Sequence, residues 1–429
     1  MLSPYFPPQA RVGALRPLKF VRHLPDYDWA SVVLCDLWPG AATDPDLLPG
    51  VPDSTIVVRD YSRRAGPAFA AFERAHRTPE PAPAPRVRGP STRGSRRLIP
   101  KLPALLDNPE LIPLGEHGPR IPYALRAARR ALDRFPCDAI LVNADPFATC
   151  LVGARLKRET GLPLIVDLRD PWALCELRRP MRPLPIRALV DRLERDVVRA
   201  ADRVLLNTET TLADYRAHYP ELPPERFACI RNHADAELIG HGSHPGFDRF
   251  TLLFLGNFGR FIKADVLVRV LAELQRRGVR ETELQLVVTG NFPEAAWRMA
   301  QGMGVAAMIH LHPHVPYRQI GAVMAASDLL VLLIQPRGRQ RLASKLFDYL
   351  VSERPVLAIS ESAELRGLLD RSEAGHTYGY AEITAIADRI QAEMAAGRGR
   401  TVPRRAVGAT SAEAAAALAA HLDAIVGPR

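Results

Sequence analysis

The sequence predicts an α/β protein built from two doubly wound parallel sheets. Short apolar runs typical of buried strands alternate with helical patterns along almost all of the 429 residues. This length is enough for two domains with sizeable cores. A cluster of glycines and one proline at positions 240–246 separates the two series of strands and marks a domain boundary.

The first series of strands forms a predicted domain over residues 1–235, and the second forms one over residues 250–405. Strands are predicted in the first domain at 30–36, 55–59, 138–143, 164–168, 203–207 and 227–231. They are predicted in the second domain at 251–256, 283–289, 308–312, 329–334 and 356–360. A helix is expected over 264–277, where five apolar side chains fall on one face.

Residues 78–114 are predicted to be an insertion in the first domain. Five prolines lie among arginines between Thr78 and Ser95, a composition that cannot bury a core, and leucines and prolines follow from Leu98 to Leu114. Two interpretations stay open. The segment is either a surface insertion with no task, or a basic, partly apolar loop that touches a lipid-linked acceptor or an anionic membrane.

The chain ends in a predicted helix over residues 410–429. Thr410 and Glu413 have the spacing of a capping box, and apolar positions continue to about Val426.

Composition narrows the class of protein. Charged residues make up 24% and hydrophobic residues 47% of the chain, which is typical of a globular protein. The net charge of +10 indicates an anionic partner or, equally, an arginine-rich composition. The five scattered cysteines predict buried thiols in a reducing cytoplasm. Neither a signal peptide at the start nor an apolar run of membrane-spanning length is evident.

The segment 335–359 is the most informative. A loop with three arginines leads to a polar helix start at Ser344, and Asp348 lies one turn inside the helix, which is expected to run about three turns. Pro355 then opens an apolar run typical of a buried parallel strand. A helix N-terminus favours phosphate, and an acid one turn in can reach a sugar hydroxyl of the same ligand. The pattern suggests a nucleotide diphosphate site, although an ordinary crossover with a solvated Asp has the same pattern.

Four segments in order resemble GT-B glycosyltransferases of the retaining group called family 4. The stretch 344–357 resembles the signature SKLYEYLASGKPVL, and 167–172 resembles a DFRDPW box. The stretch 230–235 resembles the IPNGxD hinge, and 5–19 resembles the first loop and helix. The resemblance implies two Rossmann-like domains facing a cleft, with the last helix crossing back to the first domain. It also implies a full first strand, of which this chain has only Met1 to Ser3, so either that strand is very short or the true start lies upstream.

The resemblance places most of the donor site in the second domain. Gly256 ends a strand, and Arg260 and Lys263 would neutralise the leaving diphosphate, although the family's Arg position is occupied by Asn257. Two surface charges at a helix start remain the other interpretation. The donor contacts implied by the resemblance are Gly13, Gly256, Asn257, Val315, Gln340, Ala343, Ser344 and Asp348.

At two of these positions the family has a pair of glutamates. This chain has Gln340 and Asp348 there instead. Asp348 can still bond a ribose diol, whereas Gln340 has no charge, so the chain departs from the family pattern at the donor-sugar end.

In the first domain, backbone N–H groups near Gly13 would face the cleft, and Asp170 would orient an acceptor hydroxyl. The alternative for Asp170 is an Asp–Arg pair that holds its loop.

The sequence gives less support to a metal site or to other classes of nucleotide-binding enzyme. His310, His312 and His314 alternate but lack an acidic or Cys partner, so no metal site is predicted. The phosphate-binding loop of P-loop NTPases and the glycine fingerprint of dehydrogenases are absent.

The sequence therefore predicts a glycosyltransferase that moves a sugar from a nucleotide-diphosphate sugar to an acceptor hydroxyl. The resemblance implies retention and no cofactor. The setting would be bacterial polysaccharide, glycolipid or secondary-metabolite synthesis in the cytoplasm, with peripheral contact to an anionic membrane as a further expectation. The alternative is a non-catalytic GT-B module that binds nucleotide or a partner enzyme. A third interpretation, a nucleic-acid-binding protein, is supported only by the positive net charge of the chain.

Overall fold

The computed structural model describes residues 1–36, 42–61, 109–144, 146–240, 242–259, 261–408 and 410–427. Residues 78–108, which are most of the predicted insertion at 78–114, lie outside them. In these ranges the strands are β1 (Val32–Cys35), β2 (Ile56–Arg59), β3 (Ile140–Asn143), β4 (Leu164–Leu168), β5 (Arg203–Leu206), β6 (Phe227–Cys229), β7 (Phe250–Leu255), β8 (Leu284–Thr289), β9 (Ile309–Leu311), β10 (Leu329–Leu333), β11 (Val356–Ile359) and β12 (Gly375–Tyr378).

The α-helices of the described residues connect these strands. They are α1 (Val12–His23), α2 (Ile121–Arg134), α3 (Ala148–Thr160), α4 (Leu184–Ala200), α5 (Glu209–His218), α6 (Ala236–Ile239), α7 (Asp265–Arg276), α8 (Glu294–Gly302), α9 (Ile320–Ala326), α10 (Ser344–Leu350), α11 (Ala363–Ser372), α12 (Ile383–Ala395) and α13 (Ser411–Val426).

The first domain has a parallel sheet in two parts joined by one residue. Strands β1 and β2 pair with each other, and β3 to β6 pair in order. Leu2 forms parallel bridges to Leu34 on one side and Val142 on the other. Its N–H donates to the Leu141 carbonyl at 2.7 Å, and its carbonyl accepts from the Asn143 N–H at 3.0 Å. The central strand expected from the resemblance is therefore reduced to a single bridging residue.

The second domain has a six-stranded parallel sheet in the order β12-β11-β10-β7-β8-β9. Every predicted strand of this domain is present, and α7 matches the predicted helix closely. Sequence analysis missed β12, because this edge strand is short and mostly half-buried and therefore has little apolar patterning. Buried side chains cover both faces of the sheet, as a doubly wound fold requires.

Two glycines allow the linker between the domains to pack closely against the second domain. Gly240 has φ +72°, and a Cβ there would lie 2.4 Å from the Arg318 carbonyl oxygen. A Cβ on Gly321 would lie 2.3 Å from the Gly240 carbonyl oxygen. Only glycine at both positions permits this approach of linker and helix α9.

The last helix returns to the first domain. α13 begins at the predicted capping box, with the side chain and backbone bonds of Thr410 and Glu413 both present. Leu418 and Leu422 share a buried cluster with Phe20 of α1. The indole N–H of Trp29 donates to Asp423 at 3.0 Å.

Candidate functional site

The candidate site lies where the carboxyl ends of the second sheet face the first domain. All six strands are parallel, so the loops after β7, β8, β9 and β10 emerge at one edge. Ligands of open α/β sheets bind at that edge. The loops contain Gly256, Gly290, Val315 and the arginine-rich segment 335–341.

Gly256 brings bare backbone to this edge. Its φ is +97°, and its N–H donates to the Thr289 hydroxyl at 3.1 Å. A Cβ on Gly290 would lie 2.7 Å from the Gly256 carbonyl oxygen, so both loops need glycine. Asn257 is exposed, and its side-chain oxygen accepts from the Asn291 N–H at 2.9 Å. This hydrogen bond of Asn257 therefore joins the loop after β7 to the loop after β8.

The structure describes one of the two cations that were predicted to stabilise the leaving group. Arg260 lies outside the described residues. Lys263 is exposed, and it forms no ion pair within the ranges that the structure covers. Its role remains a prediction.

Lys345 is a third cation, which sequence reasoning missed. Its ammonium group lies 4.1 Å from the centroid of the Phe254 ring and 3.6 Å from where a Cβ on Gly256 would be. Burial lowers the pKa of Lys345 to about 8, against an opposing effect of Asp348. The side chain is half-buried and has no hydrogen-bonding partner among the described residues. The signal was its place directly after Ser344 at the predicted phosphate-binding helix.

The helix that carries Lys345 is shorter than predicted. α10 has seven residues, with Ala343 as its N-cap and no side-chain cap. It stops at Leu350 because the Ser352 N–H turns back to the Tyr349 carbonyl at 3.2 Å and Pro355 disfavours helix for the residue before it. The expectation of about three turns was wrong.

Asp348 is buried at the junction between the domains. Its Oδ1 accepts from the Tyr317 hydroxyl at 2.7 Å and lies 3.6 Å from the ammonium group of Lys19 on α1. Burial lowers the pKa of Lys19, while Asp348 opposes that shift. Lys19 also donates to the His233 carbonyl at 2.7 Å, so one buried cation links α1, the hinge and α10.

Gln340 also lies at the junction, and its side chain is used within the protein. Its amide oxygen accepts from the Glu176 N–H at 3.0 Å, and its amide nitrogen donates to Asp214 at 2.7 Å. The neutral side chain therefore joins the second domain to the loop after β4 and to α5. These bonds explain why an amide, which both donates and accepts, suits this position.

Val315 lines a cavity of about 290 Å³ beside the linker. His244, His312 and His314 also line it, and the rings of His244 and His312 lie 6.0 Å apart. No group of three or more His, Cys, Asp or Glu side chains in the described part of the chain is arranged to hold a metal ion.

In the first domain, Gly13 is buried at the start of α1. Its carbonyl accepts from the Asn143 side chain at 3.2 Å. The neighbouring Val12 is exposed, and the Arg11 guanidinium lies 4.9 Å from the centroid of the Tyr5 ring.

Asp170 follows β4 and lies between two arginines at longer range. Its carboxylate is 3.7 Å from Arg169 and 3.8 Å from Arg341 of the facing domain. Burial raises the pKa of Asp170, but Arg341, Arg169 and Arg178 together lower it below its usual value. The carboxylate is therefore ionised at neutral pH and loosely paired, a state that lets it accept a hydrogen bond from a hydroxyl.

A buried ion pair beneath this site was also missed. Arg16 of α1 donates to both oxygens of Asp167, at 2.7 and 3.0 Å. It also donates to the carbonyls of Ile230 and Arg231, each at 2.8 Å. Arg16 thus joins the first helix, the end of β4 and the hinge. The sequence singled out Asp167 but contained no signal for a partner 151 positions away.

In the described ranges, no helix is both long and apolar enough to cross a bilayer. No curated protein matches the chain.

Solved structures show the fold. Sucrose-phosphate synthase from Thermosynechococcus elongatus matches with a TM-score of 0.62 and 13% identity over 99% of this chain and 94% of its own. WaaG, a glycosyltransferase involved in lipopolysaccharide biosynthesis, matches with a TM-score of 0.55 and 15% identity over 99% and 98%. A protein from Listeria monocytogenes described as a UDP-N-acetylglucosamine 2-epimerase matches with a TM-score of 0.57 and 12% identity over 97% and 94%. Because an epimerase is among them, this likeness alone does not determine the reaction.

Residues 19–238, just over half of the chain, match the family model described as Glycosyltransferase Family 4. The two parallel-sheet domains have the GT-B architecture of the matched glycosyltransferases. The protein is therefore a glycosyltransferase of Family 4 with the GT-B fold.

Proposed function

We propose that the protein transfers a sugar from a nucleotide-diphosphate sugar to an acceptor hydroxyl, with retention of anomeric configuration and without a metal. The observation that carries this proposal is Lys345, a cation without a hydrogen-bonding partner in the described residues, beside the bare backbone of Gly256 at the carboxyl edge of the second sheet. Such a cation stabilises a departing diphosphate as negative charge develops on it.

Each part of the site has a role in this proposal. Lys345, Lys263 and Arg260 face the diphosphate, together with backbone amides at Ala343 and Ser344. Asp348 bonds the ribose, and Val315 holds the base through its backbone. Asp170 orients the acceptor hydroxyl, because its ionised carboxylate is loosely paired. The acceptor would belong to bacterial polysaccharide, glycolipid or secondary-metabolite synthesis on the cytoplasmic side.

A panel of nucleotides tests the proposal. We expect one of UDP, GDP, ADP and dTDP to stabilise the protein, by roughly 2.7 kcal/mol at 100 times its Kd. The measurement is thermal unfolding with each nucleotide, with the matching nucleoside as control. The sugar conjugate of the best nucleotide is then incubated with the protein, and NMR follows its hydrolysis and the anomer released. If no nucleoside diphosphate stabilises the protein, the proposed donor class is wrong.

A second candidate is a non-catalytic module that binds nucleotide or a partner. Gln340 favours it, because its side chain is bonded to Glu176 and Asp214 where the resemblance implies an acid at the donor sugar. Nucleotide binding without any release of sugar from any donor would support this candidate over the enzyme.

The role of Asp348 gives a separate prediction. We expect Asp348→Asn to weaken nucleotide binding by about 1.5–3 kcal/mol, because it loses a charge-assisted bond to ribose. The amide oxygen can still accept from Tyr317, so the site keeps its neutral contact. Isothermal titration compares the nucleotide with its 2′- and 3′-deoxy forms.

The deoxy nucleotides separate ribose binding from indirect damage. In the unaltered protein, at least one deoxy form binds more weakly, whereas Asp348→Asn binds all forms alike. An unaltered protein that binds all three forms equally would show that Asp348 only joins the domains through Lys19 and Tyr317.

A further inference from the structure

The start of α4 carries the most exposed large apolar side chain among the described residues. Leu184 is 74% exposed, and Leu189, five residues further along the exposed side of α4, is 44% exposed. Pro183, Pro185 and Ala188 around them are exposed as well. Together these five residues form an apolar patch, which we name the α4 patch, on an otherwise charged surface.

Arginines surround the α4 patch. Between residues 178 and 199 the sequence has seven arginines and three acids. Arg192 and Arg195, the next turns of the exposed face, are themselves exposed and form no ion pair within the ranges that the structure covers. Of the acids, Asp191 is held by Arg179 and Glu194 is buried, which leaves only Asp196 exposed.

A further exposed apolar residue lies far away along the chain, in a segment that contacts the residues just before the patch. Ile112 is 42% exposed. Its neighbour Glu110 accepts from Arg182 at 2.8 Å and lies 3.6 Å from Arg178, which ties the segment around Ile112 to the residues just before the patch. An apolar surface followed on the same helix by two exposed arginines that form no ion pair in the described ranges matches the interface of an anionic bilayer, where apolar side chains enter the acyl boundary and arginines meet the headgroups.

The α4 patch also lies beside the cleft. α4 follows the loop after β4, and in that loop the Glu176 N–H donates to Gln340 of the facing domain at 3.0 Å. A surface held here by lipid would bring the acceptor side of the cleft to the membrane. We propose that the α4 patch docks on the surface of an anionic phospholipid bilayer. This proposal concerns a different surface from the donor site and does not depend on it.

Vesicle binding tests the proposal with the full chain. We expect the protein to sediment with phosphatidylcholine vesicles that contain phosphatidylglycerol, and much less with phosphatidylcholine alone. Leu184→Glu with Leu189→Glu should lower the partition coefficient at least about tenfold, because it replaces the inserted side chains by anions. Arg192→Glu with Arg195→Glu should lower it as well, and added salt should do the same.

Met303→Glu is the matched control. Met303 is 42% exposed on the second domain, so it undergoes the same chemical change away from the patch. It should bind vesicles like the unaltered protein. All variants should keep the thermal midpoint and the nucleotide affinity of the unaltered protein, because the changed side chains are exposed.

Three outcomes would overturn the proposal. The first is the absence of sedimentation with anionic vesicles at low salt. The second is equal vesicle binding by the Leu184→Glu, Leu189→Glu variant and the unaltered protein. The third is a patch that joins two copies of the chain, seen as a dimer in sedimentation velocity that the double variant dissociates.

Discussion

Replacing Arg16 by Met is expected to destabilise the first domain by about 3–5 kcal/mol, because it leaves Asp167 buried without its countercharge. Both side chains are almost fully buried, and Asp167 receives two charged hydrogen bonds from Arg16. The change also removes a donor from the carbonyls of Ile230 and Arg231. Urea unfolding measures the effect, and fluorescence of the buried Trp29 and Trp172 reports on this domain.

The control is an ion pair on the surface of the same domain. Arg155→Met removes the exposed pair with Glu159 on α3 and is expected to leave the free energy of unfolding almost unchanged, because solvent screens exposed ion pairs. A second variant, Arg16→Met with Asp167→Leu, removes both charges and should recover part of the loss. If Arg16→Met lowers the free energy of unfolding no more than Arg155→Met does, the buried ion pair does not stabilise the domain.

Replacing Lys345 by Met is expected to lower kcat/KM for the donor by about 10²–10³-fold, the loss typical of removing one group that stabilises developing charge. Met fills similar volume over the Phe254 ring, so packing is largely kept. Affinity for the nucleoside, which has no phosphate, should stay unchanged. Steady-state kinetics and nucleoside titration therefore separate a role at the diphosphate from general damage.

The burial of Lys345 also predicts that the affinity for nucleoside diphosphate depends on pH. Burial lowers the pKa of its ammonium group to about 8. Only the protonated amine attracts a diphosphate, so the affinity for nucleoside diphosphate should fall as pH rises through about 8. Lys345→Arg keeps its charge throughout this range and should lose that fall.

Lys263→Met is a second comparison for the same step, because Lys263 is exposed and was predicted to face the diphosphate. A Lys345→Met variant with unchanged kcat/KM would exclude Lys345 from the reaction. An equal loss of nucleoside and diphosphate affinity would indicate damage to the fold instead.

Local patterns predicted most of the elements. The capping box of α13, the helix α7 and the strands of the second sheet except β12 were readable, because each is specified by neighbouring residues. Where local signals were weak, the prediction was wrong: β12 was missed, and α10 was expected to be longer.

The partners of charged residues were not readable in this way. Lys19 and Asp348, and Gln340 and Glu176, come together only when the two domains face each other. Asp348 was predicted as an acid facing a ligand, and the structure adds the hydroxyl of Tyr317 and a buried lysine around it.

The sequence by itself determined the two-domain α/β class, the strand-end glycine at position 256 and the family signature around Ser344. Only the tertiary structure decided which charges neutralise one another and which have no partner in the described residues. Arg16 pairs with Asp167, whereas Lys345 rests on the Phe254 ring without a hydrogen-bonding acceptor there. The physical reason is range: helix and strand signals act over a few residues, whereas burial and ion pairing depend on groups that folding brings together from distant parts of the chain.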